Sequence, residues 1–161
     1  MIKPEDLRIG DYVKVSSDGD MIPKGTICEV ETIDSKIFFN ENEGCACLLA
    51  LDREEGDTSH GIWCKDIEGI PITLDFLGKN GFEETEHKID EGGFEWRTYE
   101  HEDCCVTVQY YPKVGEFSAF YCGHELCDIA FVHELQNIFA AVKENIKMNA
   151  LPQQAEGYVC L

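Results

Sequence analysis

The sequence predicts an α+β protein in two small parts. A small β-barrel spans residues 6–68, an α-β-β-β-α unit with an antiparallel three-stranded meander spans residues 70–148, and a loosely ordered tail fills 149–161. Three observations carry this reading. Short β-rich runs alternate with turn residues through the first part. Gly69-Ile70-Pro71-Ile72 then breaks the pattern and leads into a capped helix. The last third changes from a period-2 strand pattern to a period-3.6 helix pattern.

Asp11-Tyr12-Val13-Lys14-Val15 is the first candidate strand, followed by a turn at Ser17-Asp18-Gly19-Asp20, where Asp and Gly tolerate the required dihedrals. Thr26 to Ile33 and Ile37 to Asn40 read as a hairpin joined by Asp34-Ser35-Lys36. Cys45 to Leu51 and, after a polar acidic loop, His60 to Asp66 complete the series; short strands so closely spaced suggest a strongly bent barrel. Pro71 pushes the residue before it away from helix, so residues 69–72 read as a linker. Thr73 is then a good N-cap, Asp75 complements the helix dipole, and Ile72 and Leu77 have the spacing of a hydrophobic staple. Gly81 suits the C′ position with Phe82 beyond it, which gives a short helix over about residues 74–80.

Phe94 to Glu100 opens the meander. In the next strand Cys104, Val106, Val108 and Tyr110 face one way and Cys105, Thr107, Gln109 and Tyr111 the other, the pattern of a half-buried strand. Pro112-Lys113-Val114-Gly115 supplies the turn, and Glu116 to Cys122 returns. Phe131, Leu135, Ile138, Phe139, Val142 and Ile146 fall on one face of a helix from about Ala130 to Lys147, with His133, Glu134, Asn137 and Glu144 on the other side. That apolar face needs a surface to cover, and the meander is the candidate.

Of 161 residues, 13 are Lys or Arg and 32 are Asp or Glu, so the net charge is 13 − 32 = −19. A hydrophobic share of 43% and a charged share of 28% give a globular rather than a disordered composition. The charge is evenly split, 7 − 16 = −9 over residues 1–69 and 6 − 16 = −10 beyond them. Phosphate contacts need clustered Lys and Arg, so direct nucleic-acid binding is not expected. An even spread fits solubility, while Asp and Glu concentrated between residues 83 and 103, opposed only by Lys88 and Arg97, offer a face for a basic partner. No apolar run approaches the roughly 20 residues that span a bilayer, and no apolar segment follows Met1, so a cytoplasmic protein without membrane contact is expected. The nine cysteines, an odd number, then read as reduced thiols that pack mostly as small hydrophobes.

Leu7-Arg8-Ile9-Gly10-Asp11-Tyr12-Val13, followed by Gly25-Thr26-Ile27-Cys28-Glu29-Val30, resembles the start of SH3-like barrels, in which Gly-Asp turns into the first strand and a later Gly opens the second. Gly69-Ile70-Pro71-Ile72-Thr73-Leu74-Asp75-Phe76-Leu77 with Asn80-Gly81-Phe82 resembles a recurrent Gly-Ile-Pro-Leu-Thr segment. Phe131-Val132-His133-Glu134-Leu135-Gln136-Asn137-Ile138-Phe139 resembles a terminal Val-His-Gln/Glu-Leu-Gln-Asn helix. Together they are similar to a family of small uncharacterised proteins of Bacteroides-type bacteria and their phages or mobile elements. The resemblance implies a cytoplasmic accessory protein and no catalytic residue.

Cys122-Gly123-His124-Glu125-Leu126-Cys127 is the best metal candidate. Its C-x-H-x2-C spacing gathers three ligand types that tetrahedral zinc accepts, with His101 or Cys104-Cys105 as a possible fourth. A strand end with packed thiols is the competing reading. Cys45-Ala46-Cys47 lacks the basic neighbours that would lower a thiol pKa, so packing is favoured over a redox pair. His133-Glu134 begins like the H-E-x-x-H helix of metalloproteases, but residue 137 is Asn and the second ligand is missing. There is no G-x-G-x-x-G, Walker loop or G-x-S-x-G, and carboxylate pairs chosen from so acidic a chain would be arbitrary. The expectation is a non-enzymatic protein-interaction module with no catalytic, cofactor or metal residue. The alternatives are a metal- or thiol-dependent protein built on Cys122, His124 and Cys127, or an acidic, phosphate-mimicking inhibitor of a host nucleic-acid-binding protein.

Overall fold

The computed structural model describes residues 2, 6–17, 22–34, 45–50 and 60–142. These form two antiparallel five-stranded sheets with two α-helices, an α+β arrangement, and the chain divides into two compact units between Ile70 and Pro71. The strand expected at Ile37 to Asn40, the acidic loop before His60, the helix end at 143–147 and the tail lie outside the described residues.

In the first unit, β1 (Tyr12–Val15), β2 (Ile27–Asp34), β3 (Cys45–Ala50), β4 (His60–Trp63) and β5 (Ile67–Gly69) lie in the order β4-β3-β2-β1-β5. Gly10, at φ +94°, turns the chain into β1, and Gly25, at φ +90°, turns it into β2; both are backbone conformations that glycine adopts without strain. Asp11 braces the first turn, since its Oδ2 accepts from the Arg8 N–H at 2.7 Å. Val13, Val15, Cys28, Val30, Cys64 and Ile67 bury together as the core. Two expectations need correcting here. β2 pairs with Cys45–Ala50, with Asp34 opposite Cys45, and the partner strand expected at residues 37–40 lies outside the described residues. The strand read as His60 to Asp66 stops at Trp63, where a single 3-10 turn over Cys64–Asp66 redirects the chain so that β5 pairs with β1. Among the described residues the expected small barrel is also not closed: β4 and β5 are the two edges, four and three residues long, and no pairing joins them.

The second unit opens with α1 (Leu74–Lys79). The Thr73 hydroxyl accepts from the Phe76 N–H at 3.1 Å, and Gly81 follows at φ +82°, so both caps expected from the sequence are present. Then come β6 (Phe82–Ile89), β7 (Glu95–His101), β8 (Val106–Tyr111), β9 (Glu116–Tyr121), β10 (His124–Ile129) and α2 (Val132–Val142). The sheet order is β10-β9-β8-β7-β6, a simple meander. It has five strands where three were expected. The missed β6 reads Phe-Glu-Glu-Thr-Glu-His-Lys-Ile and is rich in residues depleted from strands; it sits at an edge, where charge discourages pairing with another chain. The missed β10 is disguised by a register shift between Glu125 and Cys127, which breaks the alternation at Leu126.

Directly paired residues share a sheet face. Phe82, Tyr99, Val106, Val108, Ala119, Phe117 and Ile129 lie on one face by this rule and are all buried. The Phe82 and Phe139 rings stack on that side at 6.2 Å, so α2 covers it with Val132, Leu135, Ile138 and Phe139. The apolar stripe of the last helix therefore meets the meander, as its periodicity predicts.

Candidate interaction face

The other face of the same sheet carries the remaining side chains of each pair. Three rows cross it. Glu83, Glu100, Thr107, Phe120 and Glu125 make the first; Glu86, Thr98, Gln109, Ser118 and Asp128 the second. The third holds Lys88, Trp96, Tyr111 and Glu116, with Trp96 and Tyr111 one step beyond the Arg97–Tyr110 pair. Most of these side chains are half-buried or exposed. Glu83 stands directly opposite Glu100, a like-charge pairing that weakens a sheet.

Rings cluster at one end of this face. Phe94 lies 6.1 Å from Trp96 and 5.5 Å from Tyr111 between centroids, and it is 48% exposed. The β6–β7 turn holds it there: the Phe94 N–H donates to Asp90 Oδ1 at 2.7 Å, the Asp90 N–H donates to the Phe94 carbonyl, and Lys113 Nζ reaches the Gly93 carbonyl. Tyr111 donates to Gln109 at 2.9 Å. Its phenol is pushed above the usual range, first by burial and then by the carboxylates of Glu125 and Asp128. Asp128 accepts from the Ser118 hydroxyl at 2.6 Å. Lys88 pairs with Glu86 at 2.5 Å, which leaves the face predominantly carboxylate.

A separate polar ladder runs along the uncovered end of the helix side. Glu84 accepts from the Tyr99 hydroxyl at 3.0 Å, Arg97 lies 3.7 Å from Glu84 and 3.6 Å from Glu95, and Glu95 meets His87 at 2.9 Å. The ladder leaves Arg97 Nε buried without a hydrogen-bond partner among the described residues, and it presents no nucleophile–base pair.

The proposed metal cluster does not assemble. Among the described residues no group of three or more His, Cys, Asp or Glu is placed to hold a metal ion. Cys122 and Gly123 form the two-residue turn between β9 and β10, at φ +49° and +79°, a type I′ hairpin turn. His124 pairs with Tyr121, and Cys127 lies beyond the bulge opposite Ala119. Burial first, then Glu134 and Asp128, push the Cys127 thiol up, the opposite of what a thiolate ligand or nucleophile needs. The expectation of packed thiols holds for Cys28 and Cys64, which are buried, and fails for Cys105, Cys122 and Cys127, which are exposed. Cys45 and Cys47 stand on β3, opposite Asp34 and Thr32.

His133 is 3% exposed and stacks on Phe131 at 5.7 Å, so it is part of the packing rather than of the polar side assigned from the sequence. Glu134 caps its own helix, accepting from the N–H groups of Ala130 at 2.7 Å and Phe131 at 3.0 Å. An open cleft of about 400 Å³ lies between Pro71, Ile72, Glu116, Phe117, Asp128 and Glu134. Asp128 and Glu134 there are engaged by Ser118 and the helix start, and the lining offers no base beside a nucleophile. No described helix is long and apolar enough to cross a membrane.

In comparisons with known proteins, no family model, no curated protein and no solved structure matches the chain.

Proposed function

We propose that the chain is a non-enzymatic accessory protein of a phage or mobile element, acting in the cytoplasm as a protein-interaction module. The Gly-Ile-Pro segment at 69–71 and the Val132-His133-Glu134-Leu135-Gln136-Asn137 helix support the mobile-element reading through their resemblance to that family. The Gly10-Asp11 turn into β1 and Gly25 before β2 support an SH3-like character for the first unit. The observation that carries the interaction reading is the division of labour in the second sheet. One face is core under α2, while the other keeps half-buried aromatic rings and exposed carboxylates that the fold does not use for packing.

A partner for such a face is basic. Binding then weakens as salt rises through the screening range, and bare duplex DNA is not retained near physiological salt. A pull-down on host lysate at two salt concentrations, beside a gel-shift titration with DNA, tests this. Tight DNA binding overturns the reading, and a partner held equally at low and high salt moves it to the apolar surfaces. The Glu83–Glu100 pairing favours a narrower version, a phosphate mimic that occupies a host nucleic-acid-binding site, because like charges held across a strand pair weaken the sheet that carries them. Competition between the protein and DNA for the captured partner separates the two versions.

A further inference from the structure

We propose that the face of the second sheet opposite α2 docks arginine side chains of a basic protein segment, read by the Phe94, Trp96 and Tyr111 rings, the Thr98 hydroxyl and the surrounding carboxylates. This deepens the interaction-module reading and rests on it.

Charge complementarity selects the occupant's sign. Glu116 stands opposite Tyr111, and Glu125 and Asp128 bear on the same phenol, while the nearby cations Lys88 and Lys113 are already held by Glu86 and the Gly93 carbonyl. A second copy of a chain with net charge −19, or a nucleic acid, meets repulsion there. The rings select a cation that stacks, since the face of an aromatic ring attracts positive charge, most strongly for tryptophan.

Thr98 selects arginine over lysine. It is 8% exposed, lies on this face two positions from Trp96, and its Oγ1 is buried with no hydrogen-bond partner among the described residues. A buried hydroxyl without a partner is costly, and an outside donor that displaces the side chains lying over it removes that cost. Guanidinium is flat enough to lie on a ring and carries five N–H donors in a fixed fork, so it can stack and also donate to a hydroxyl and a carboxylate. An ammonium is a compact point charge that gains less from this arrangement.

The test uses the full chain and two fluorescein-labelled probes of equal charge, octa-arginine and octa-lysine, titrated by anisotropy near physiological salt. Octa-arginine is expected to bind at least about fivefold more tightly than octa-lysine. Phe94→Leu and Trp96→Leu, which keep apolar bulk and remove the ring, should each weaken the arginine probe by about fivefold or more. Thr98→Val should weaken the arginine probe alone while leaving the unfolding midpoint unchanged or raised, which rules out a folding defect. Glu102→Gln, in the β7–β8 turn and off the face, should change nothing. Equal binding of the two probes, or ring and hydroxyl variants that bind like the parent, overturns the proposal. If Glu116→Lys and Glu125→Lys abolish binding while the ring variants do not, the acidic interaction face stands and its arginine selectivity falls. If no probe binds and the charge reversals leave lysate capture unchanged, both readings fall.

Discussion

Asp11 shows how one buried carboxyl ties a turn to pH. Its side chain is 3% exposed, and burial pushes its pKa up to about 6 from 3.8, despite the Arg8 N–H that favours the charged form. The folded state thus holds this proton more tightly than the unfolded chain. That contribution is fully present below about pH 4 and is lost as pH rises through about 6. Asp11→Asn keeps an acceptor for the Arg8 N–H and removes the charge. It should raise stability near pH 8 by about 1–3 kcal/mol relative to the parent, with the gap closing below about pH 4; thermal unfolding of both proteins across that range measures it. Cys122 offers a second residue-scale outcome. A non-glycine at φ +49° in a two-residue hairpin turn is a position that Asn fills best, so Cys122→Asn should stabilise by about 0.5–1 kcal/mol. Chemical denaturation midpoints check this, and a loss of stability would mean that the thiol makes a contact beyond the turn.

Elements were legible where a local signal agreed with the tertiary environment. α1 has its cap, first-turn acid, staple and terminal glycine within ten residues of sequence, so its bounds follow from local chemistry. α2 carries an apolar stripe that finds the sheet, and Leu135, fully buried there, is the sharpest test of the packing. Leu135→Ala should cost about 2–5 kcal/mol by thermal unfolding, whereas an unchanged midpoint would make the stripe a partner site. β6 and β10 escaped because both are edge strands. Each pairs on one side only, so its composition answers to solvent more than to burial, and a bulge in each interrupts the period-2 pattern. The 3-10 turn at Cys64–Asp66 escaped because it holds no glycine or proline to mark a break, so the run from His60 reads on through it.

At the scale of the whole molecule, net charge and sheet asymmetry point the same way. A chain with 32 carboxylates must place most of them at its surface, and the second unit sets several on a single sheet face with a ring cluster at its end. The salt dependence and DNA exclusion expected of the protein belong to this scale, because they follow from the summed field rather than from any one pair. The arginine selectivity belongs to the face alone, and the two separate experimentally: general screening weakens both probes alike, whereas Thr98→Val acts on one.

The sequence by itself determined the α+β class, the capped first helix, the apolar stripe of the last helix, the alternation of Val106 and Val108, and the acidic balance, because each is either a local pattern within one element or a plain sum over the chain. Only the tertiary structure decided the strand count, the order β4-β3-β2-β1-β5, the scattering of Cys122, His124 and Cys127, and the gathering of Phe94, Trp96, Tyr111 and Thr98 on one face. Those depend on which strand lies beside which and in what register. Register is set by packing between segments distant in the chain, and a shift of one residue moves every side chain to the opposite face.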